Sequence, residues 1–307
     1  MTGAQGGASR GLVASTLLMV QVFFGFHYIG AKIILAHLPP LAWASIRILG
    51  AAAIILPLTF LAGKAWPRSL ADHGRLAFYA VFGVVINQTF FVEGLSRTVP
   101  SHSALINTMI PVATLAIALL MRRERATPAK LSGILLSLGG VAYLLAHSGR
   151  SFEGGILTGD LMTLINALSF SFFLVISKPI LARHPSSVVT ALMLGYGAIM
   201  ITAAGAYDLA HADLGAVPAQ AWGWGIFVIL FPTVAAYGMN AWALKRVESS
   251  LVALFIYVQP VIGASLSVLL LGERLTQGFF VAASFIFAGV FIALIAKPAP
   301  AAATAGV

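Results

Sequence analysis

One stretch of this chain occurs twice, in the same order and without a gap. The first copy spans residues 95–145, and the second lies 149 positions later, as the two prolines show (260 − 111 = 149). The matched residues are Leu95/Leu244, Arg97/Arg246, Ala104/Ala253, Pro111/Pro260, Glu124-Arg125/Glu273-Arg274, Thr127/Thr276 and Gly140/Gly289. An apolar background matches leucine and alanine by chance, but it does not place proline, Glu-Arg and glycine in register. An internal repeat of this length constrains the architecture before any other feature does.

The duplication extends toward both ends of the chain. Phe26, Lys32 and Pro39 recur as Phe172, Lys178 and Pro185, at a spacing of 146. About three residues were therefore gained between the two registers. This pattern predicts two units, residues 11–147 and 157–297.

The composition indicates a membrane protein. Of the 307 residues, 60% are hydrophobic and 9% are charged, whereas soluble domains carry about 25% charged residues. A helix needs about 20 apolar residues to cross the bilayer. Ten stretches qualify, which are residues 11–34, 39–63, 75–95, 100–121, 128–147, 157–181, 187–206, 221–243, 250–271 and 277–296.

The basic residues predict the orientation. Twelve are expected on one side and three on the other, an asymmetry that places the basic side and both termini in the cytoplasm. The twelve are Arg10, Lys64, Arg68, Arg75, Arg122, Arg123, Arg125, Lys130, Arg183, Lys245, Arg246 and Lys297, and the three are Arg97, Arg150 and Arg274. Because each repeat holds five spans, the second copy must enter from the opposite face. We therefore expect an all-α membrane protein of ten transmembrane helices, arranged as two inverted five-helix repeats around a central cavity.

Several classes of function are disfavoured. The net charge of +9 does not indicate nucleic acid, because the basic residues sit in short loops between apolar runs. The absence of cysteine excludes disulfides, thiolate nucleophiles and cysteine metal sites. A metal-dependent lipid enzyme would need clustered carboxylates, and the sequence shows no such cluster. We expect no cofactor, no metal, no nucleic-acid partner and no enzymatic activity.

The chain resembles the EamA family of the drug/metabolite transporter superfamily. The likeness rests on Gly25, Lys32, Arg47, the Gly-Asp pair at 159–160, and the duplicated Pro…Glu-Arg signature described above. It covers nearly the whole chain, and within the family it is nearest to YddG-type aromatic amino acid exporters. The resemblance implies a multi-pass protein of the inner (plasma) membrane that moves small molecules.

Polar residues deep in the predicted spans are candidate substrate contacts, because buried polar groups in membranes tend to face a cavity or a helix interface. Gln88 and Tyr237 occupy equivalent positions in the two repeats, and Asn240 lies on the same helix face as Tyr237. The alternative role is to link helices through hydrogen bonds. The candidates are His27, Tyr28, Asn87, Gln88, Asn107, Asn166, Tyr237, Asn240, Tyr257 and Gln259.

Four other residues are candidates for gating. Pro111 and Pro260 each remove a backbone donor, so they act either as hinges or as packing kinks. Arg47 needs a partner, for which the loop at Glu273 or a helix C-terminus is expected, and a structural clamp is favoured over a grip on substrate. Glu93 is a gate partner for Arg47 or Arg97, or else a charge at the membrane rim. Lys32 and Lys178 occupy equivalent positions, and snorkelling to opposite interfaces is the favoured role. The alternative is that they form gating pairs that alternate between states.

Inverted repeats are typical of secondary transporters, whose substrate site lies at the midplane. The sequence therefore predicts an alternating-access exporter of amino acids, including aromatic and apolar ones, and of related metabolites. Without a mid-membrane carboxylate, transport is expected to be facilitative or coupled through a histidine. The alternatives are an exporter of cationic amines or drugs, a lipid-handling enzyme or flippase, and a channel. The expected partners are a small-molecule substrate and membrane lipid, and the expected state is a monomer.

Overall fold

The computed structural model describes residues 10–121, 127–151, 155–247 and 249–295. Within these ranges the chain is helical and contains no strand, and ten long helices correspond to the ten predicted spans. They are α1 (Arg10–Leu35), α2 (Pro40–Leu61), α3 (Leu70–Arg97), α4 (Pro100–Leu120), α5 (Pro128–Ser151), α6 (Gly155–Ile176), α7 (Ser186–Ala204), α8 (Ala219–Leu244), α9 (Ser249–Leu254, Phe255–Tyr257 and Val258–Leu271) and α10 (Gln277–Ile295). The Glu124-Arg125 motif and Lys297 lie outside the described residues.

The helix boundaries follow local chemistry where they differ from the prediction. The sixth span was expected to run to residue 181, but α6 ends at Ile176 and a separate short helix covers Lys178–Arg183. Pro179 explains the break, because proline fits the first turn of a helix and disrupts the interior of one. The third helix begins at Leu70, five residues before the predicted start of its span.

Two groups of contacts define the two ends of the bundle. At one end, Asp72 near the start of α3 binds His184 beyond α6 (2.8 Å), and Lys245 after α8 donates to the His184 carbonyl (3.1 Å). At the other end, Thr98 after α3 donates to Asp160 in the second turn of α6. We call these the Asp72 end and the Asp160 end.

The course of equivalent helices between these ends establishes the inversion. The third helix starts at the Asp72 end and finishes at the Asp160 end, whereas its repeat partner α8 finishes at the Asp72 end. Likewise, Lys32 near the end of α1 contacts carbonyls at the Asp160 end, where α6, the repeat partner of α1, begins. The protein is thus built from ten transmembrane helices as two inverted five-helix repeats.

The contact between α5 and α10 repeats the symmetry in detail. A Cβ on Gly140 would lie 2.8 Å from the Ile286 side chain, and a Cβ on its mate Gly289 would lie 2.5 Å from the Gly133 carbonyl oxygen and the Ser137 hydroxyl oxygen. Ser137 also donates to the carbonyl of Ile286, which occupies the same repeat position 149 residues later (3.2 Å). Small residues permit this close approach, as is common in membrane helix pairs.

Neighbouring glycines in α5 provide a test of this contact. We expect Gly140→Ala to lower the free energy of unfolding by about 1–3 kcal/mol, because the added methyl group overpacks the α5–α10 interface. Gly139→Ala is the matched control, since a Cβ there meets nothing within 4 Å and alanine favours helix. Thermal unfolding in detergent measures both variants. Equal melting temperatures for the two would contradict the described packing.

Candidate substrate site

A cavity of about 60 Å³ lies between the two repeats at the middle of the bundle. Its wall comes from helices of both halves and combines amides, hydroxyls and aromatic rings. The lining residues are Gln21, Phe24, His27, Tyr28, Asn87, Gln88, Phe91, Asn107, Ile110, Asn166, Phe170, Leu174, Tyr237, Asn240, Val252, Ile256 and Gln259. Nine of the ten predicted substrate contacts are in this list.

The cavity lies on the symmetry axis of the repeats. Twelve of its lining residues form six pairs related by the spacings of 146 or 149. The pairs are Phe24/Phe170, Tyr28/Leu174, Gln88/Tyr237, Phe91/Asn240, Asn107/Ile256 and Ile110/Gln259. In four of these pairs one residue is polar and its mate is apolar, so a symmetric shape carries an asymmetric chemistry.

One wall of the cavity is a chain of hydrogen bonds between α1, α4 and α9. Asn107 donates through Nδ2 to the Tyr28 hydroxyl (2.7 Å), and Tyr28 donates to Gln259 Oε1 (2.8 Å). Gln259 in turn donates through Nε2 to Gln21 Oε1 (2.6 Å). The symmetry mates of Tyr28, Asn107 and Gln259 are Leu174, Ile256 and Ile110, which add apolar groups to the lining of the same cavity.

A second network begins at the fully buried Arg47 in α2. Its Nη1 donates to Gln88 Oε1 and its Nε donates to Thr233 Oγ1, both at 2.7 Å. Gln88 Nε2 then donates to the Tyr237 hydroxyl and to Asn87 Oδ1, both at 2.6 Å. The Gln88–Tyr237 bond therefore joins two residues at equivalent positions in the inverted halves.

The amide pair Asn87 and Asn166 extends this network to α6. Asn166 Nδ2 donates to the Asn87 carbonyl (2.8 Å), and Asn87 Nδ2 approaches the Asn166 carbonyl (3.4 Å). The reciprocal arrangement fixes α3 against α6.

Wide π-helical turns precede Gln88 and Tyr237 in both repeats, at Val81–Ile86 in α3 and Ile229–Ala235 in α8. In α8 the cause is Pro232, which has no N–H to donate to the carbonyl of Val228. The Thr233 hydroxyl donates to that carbonyl instead (2.8 Å), while its oxygen accepts from Arg47. In α3 the Phe82 carbonyl accepts from Ser169 (2.7 Å). Such segments are frequent at functional sites.

The expected partner of Arg47 is wrong. We expected the Glu273 loop or a helix C-terminus, but the structure pairs Arg47 with Gln88 and Thr233. The sequence did not reveal this pairing because it depends on the carbonyl that Pro232 leaves free. Both acceptors are uncharged, and the Arg47 Nη2 atom has no hydrogen-bond partner among the described residues.

Three polar atoms in the cavity wall also have no partner within the described part of the chain. They are His27 Nε2, Asn107 Oδ1 and Asn240 Oδ1, and their side chains are at most 9% exposed. His27 stacks on Phe91 with ring centroids 4.6 Å apart. A cavity of this size holds about four water molecules. The unpaired atoms therefore mark where polar groups of a bound molecule or water would be accommodated.

The two prolines of the duplicated motif accompany symmetric helix breaks. The fourth helix is interrupted at residues 107–108, just before Pro111, and α9 is interrupted at Phe255–Tyr257, just before Pro260. In each case the break lies around the residue four positions earlier, to whose carbonyl the proline cannot donate. Those residues are Asn107 and Ile256, and both line the cavity. In α4 the Ile110 N–H donates to the Asn107 carbonyl instead (3.0 Å).

Tyr257, Glu93 and Lys32 lie away from the cavity. Tyr257 contacts Phe287 of α10 at a centroid distance of 5.9 Å. Glu93 pairs with Arg97, one turn later in α3, and not with Arg47. Lys32 Nζ donates to the carbonyls of Leu95 (2.8 Å), Ser96 (3.3 Å) and Thr98 (2.7 Å), where a cation complements the helix C-terminus.

Sequence reasoning missed several residues of these networks. Thr233 was detectable, because a proline in the middle of a span implies a compensating donor nearby. Gln21 was equally visible as a polar residue within the first span. Phe24, Phe91 and Phe170 gave no signal, because a phenylalanine in a membrane helix faces lipid, protein or a cavity with the same local pattern.

Comparisons with known proteins agree with this architecture. A model of the EamA-like transporter family matches residues 12–146 and 157–295. A probable amino-acid metabolite efflux pump of Escherichia coli (strain K12) is 26% identical, covering 90% of this chain and 92% of that protein. A WAT1-related protein of Arabidopsis thaliana is 24% identical, covering 93% and 82%. One crystal structure, 19% identical, matches with a TM-score of 0.69 over 94% of this chain and 99% of that chain, a likeness of fold.

The neutral surroundings of Arg47 lead to a prediction. Burying a charge costs several kcal/mol, which exceeds the roughly 1–3 kcal/mol lost if Gln88 is left without its donor. We therefore expect Arg47→Met to keep or raise the melting temperature while transport falls, because Gln88 is no longer held in place. Arg68→Met, at an exposed site between α2 and α3, is the control. If Arg47→Met instead lowered the free energy of unfolding by several kcal/mol, the residue would mainly stabilise the fold.

Proposed function

This chain belongs to the EamA-like transporter family, and we propose that it exports amino acids, including aromatic and apolar ones, and related small metabolites. The membrane in which it works is the cell inner (plasma) membrane, with the Asp72 end and both termini in the cytoplasm. It acts as a facilitative transporter and not as an enzyme.

The amphipathic character of the central cavity is the observation that carries this proposal. Tyr28, Asn107 and Gln259 line it with polar groups, and their symmetry mates Leu174, Ile256 and Ile110 line it with apolar ones. A zwitterion with an apolar side chain matches this mixed lining. Amide and hydroxyl groups bind ammonium and carboxylate without a fixed counter-charge, and aromatic rings such as Phe24 and Phe170 accommodate the side chain.

The charge around the cavity supports a zwitterion over a cationic drug. No acidic residue occurs among the described lining residues, and the buried Arg47 lies directly behind Gln88. A positive charge in a low-dielectric interior disfavours a permanent cation nearby. Two relatives, from Escherichia coli and Salmonella typhimurium, carry the name probable amino-acid metabolite efflux pump, each 26% identical.

Alternating access follows from the inverted repeats. The central cavity adjoins a smaller one of about 20 Å³ that leads toward the Asp72 end, past Leu181 and Leu244. The two cavities share Phe24, Phe170, Tyr237 and Asn240. The central cavity is too small for an aromatic amino acid, so substrate entry requires the repeats to separate, with the breaks before Pro111 and Pro260 as hinges.

A flux assay tests the proposed cargo and mechanism. In proteoliposomes without a pH gradient, we expect the protein to accelerate phenylalanine and leucine flux down their gradients, with saturation. A panel of amino acids should compete for this flux, and amines and nucleotides should not. Flux that appears only with an imposed pH gradient would overturn the facilitative mechanism, and competition by amines alone would overturn the cargo.

Removing the Tyr237 hydroxyl tests the position of the site. We expect Tyr237→Phe to reduce phenylalanine flux by about three- to tenfold, because one neutral hydrogen bond contributes roughly 0.5–1.5 kcal/mol. Tyr207→Phe is the matched control, since Tyr207 is 74% exposed on a short helix outside the bundle core. Equal flux in the two variants would place the substrate elsewhere.

A further inference from the structure

The Asp160 end is closed by side-chain contacts between the two repeats. Asp160 of the second repeat accepts hydrogen bonds from the Thr98 hydroxyl and from His102 Nδ1 (3.0 Å), both in the first repeat. Glu273 of the second repeat accepts from the Ser101 hydroxyl of the first. The turn from α3 to α4 is thereby tied to α6 and to the α9–α10 loop.

Backbone packing brings these groups together. A Cβ on Gly94 would lie 2.8 Å from the Gly159 carbonyl oxygen, and a Cβ on Gly159 would lie 2.7 Å from the Gly94 carbonyl oxygen. The backbones of α3 and α6 are therefore in direct contact at Gly94 and Gly159, and Gly159 immediately precedes Asp160. Lys32 binds the Thr98 carbonyl, so it holds the same turn in place from α1.

The ionic contacts at the two ends differ in their exposure to solvent. The Asp160 side chain is fully buried and His102 is 13% exposed. At the Asp72 end, Asp72 binds His184 (2.8 Å) and Arg183 (3.1 Å), and the Arg183 side chain is 47% exposed. Solvent and salt weaken exposed ion pairs, and this applies to the Arg183–Asp72 pair. The His184 and Asp72 side chains are only 17% and 10% exposed, so the two ends differ mainly in the exposed Arg183.

The repeat symmetry shows that the Asp160 contacts are specific to one end. At spacings of 149 and 146, the mates of Thr98, His102 and Asp160 are Val247, Leu251 and Ala14. The equivalent positions at the Asp72 end are thus apolar and form no such bonds. The two ends therefore share a repeat but are held by different groups, since the Asp72 contacts use residues at other positions.

The closed Asp160 end separates two spaces. A chamber of about 540 Å³ lies beyond it, lined among others by Ser101, His102 and Glu273. It shares none of its described lining residues with the central cavity. Between them, Ser103 of α4 faces Thr163 of α6 at 3.4 Å. The path from the cavity to the Asp160 end therefore passes through the bonded region.

We propose that Thr98, His102 and Asp160 form a latch, with Ser101 and Glu273 beside it, that keeps the Asp160 end closed until the repeats rock. Breaking this latch is the step that exposes the central cavity to that side. The latch residues do not contact substrate in the cavity; they set how often the cavity opens outward. The inference rests on the alternating-access mechanism proposed above.

The absence of cysteine allows a direct test by thiol labelling. Ile110→Cys places one thiol in the wall of the central cavity, and a charged, membrane-impermeant thiosulfonate reports its exposure. With the reagent on the Asp160 side, we expect Asp160→Asn to accelerate labelling at least tenfold. With the reagent on the Asp72 side of inverted vesicles, labelling should slow. No substrate is added, so the outcome is independent of whether amino acids are the cargo.

A second variant and a control keep the test decisive. The triple variant Thr98→Val, His102→Leu and Asp160→Ala replaces each latch residue with the residue type of its symmetry mate. It removes the Asp160 carboxyl together with the two side chains that bind it. It should behave as Asp160→Asn does. Asp72→Asn, at the other end, should not accelerate labelling from the Asp160 side. Unchanged labelling in both latch variants, or equal acceleration from both sides, would overturn the proposal.

Discussion

The hydrogen bond between Gln88 and Tyr237 joins two residues that hold the same position in two inverted repeats. Such a bond forms only on the symmetry axis, so its location defines the centre of the molecule. Arg47 polarises it through Gln88 Oε1, and bonds in a low-dielectric interior reinforce one another. A π-helical turn precedes each of the two residues. The cavity, the two networks and the helix breaks are all arranged around this point.

Symmetry and asymmetry have separate roles in this protein. The symmetric backbone provides two equivalent ways to close, one at each end, which is what an alternating mechanism needs. Unlike side chains at equivalent positions then give the cavity both polar and apolar lining, as at Tyr28 and Leu174. The same device distinguishes the ends, because Asp160 corresponds to Ala14. The repeats thus share a backbone arrangement, and the differences between them lie in side chains at equivalent positions.

Buried polar groups are costly in a membrane, and this chain retains many of them. Many of them donate to each other or to backbone carbonyls, as Thr233 does at Val228. Among the described residues ten buried polar atoms are unpaired, and three of these, in His27, Asn107 and Asn240, lie in the wall of the central cavity. Stability alone does not favour unpaired groups there, so their presence in the cavity is consistent with a site that binds polar molecules.

The sequence by itself determined the ten helices, their inverted duplication and most of the polar cavity wall, because apolar length, repeat spacing and buried polarity are local properties. Only the tertiary structure decided the partners. Arg47 binds Thr233, 186 positions away, and Asp160 binds His102, because folding brings separate helices together at carbonyls and hydroxyls that no spacing reveals. It also separated Tyr257 from the cavity and added Phe24, Phe91 and Phe170. Which face of a helix meets a cavity depends on its neighbours, and a uniformly apolar helix carries no mark of that face.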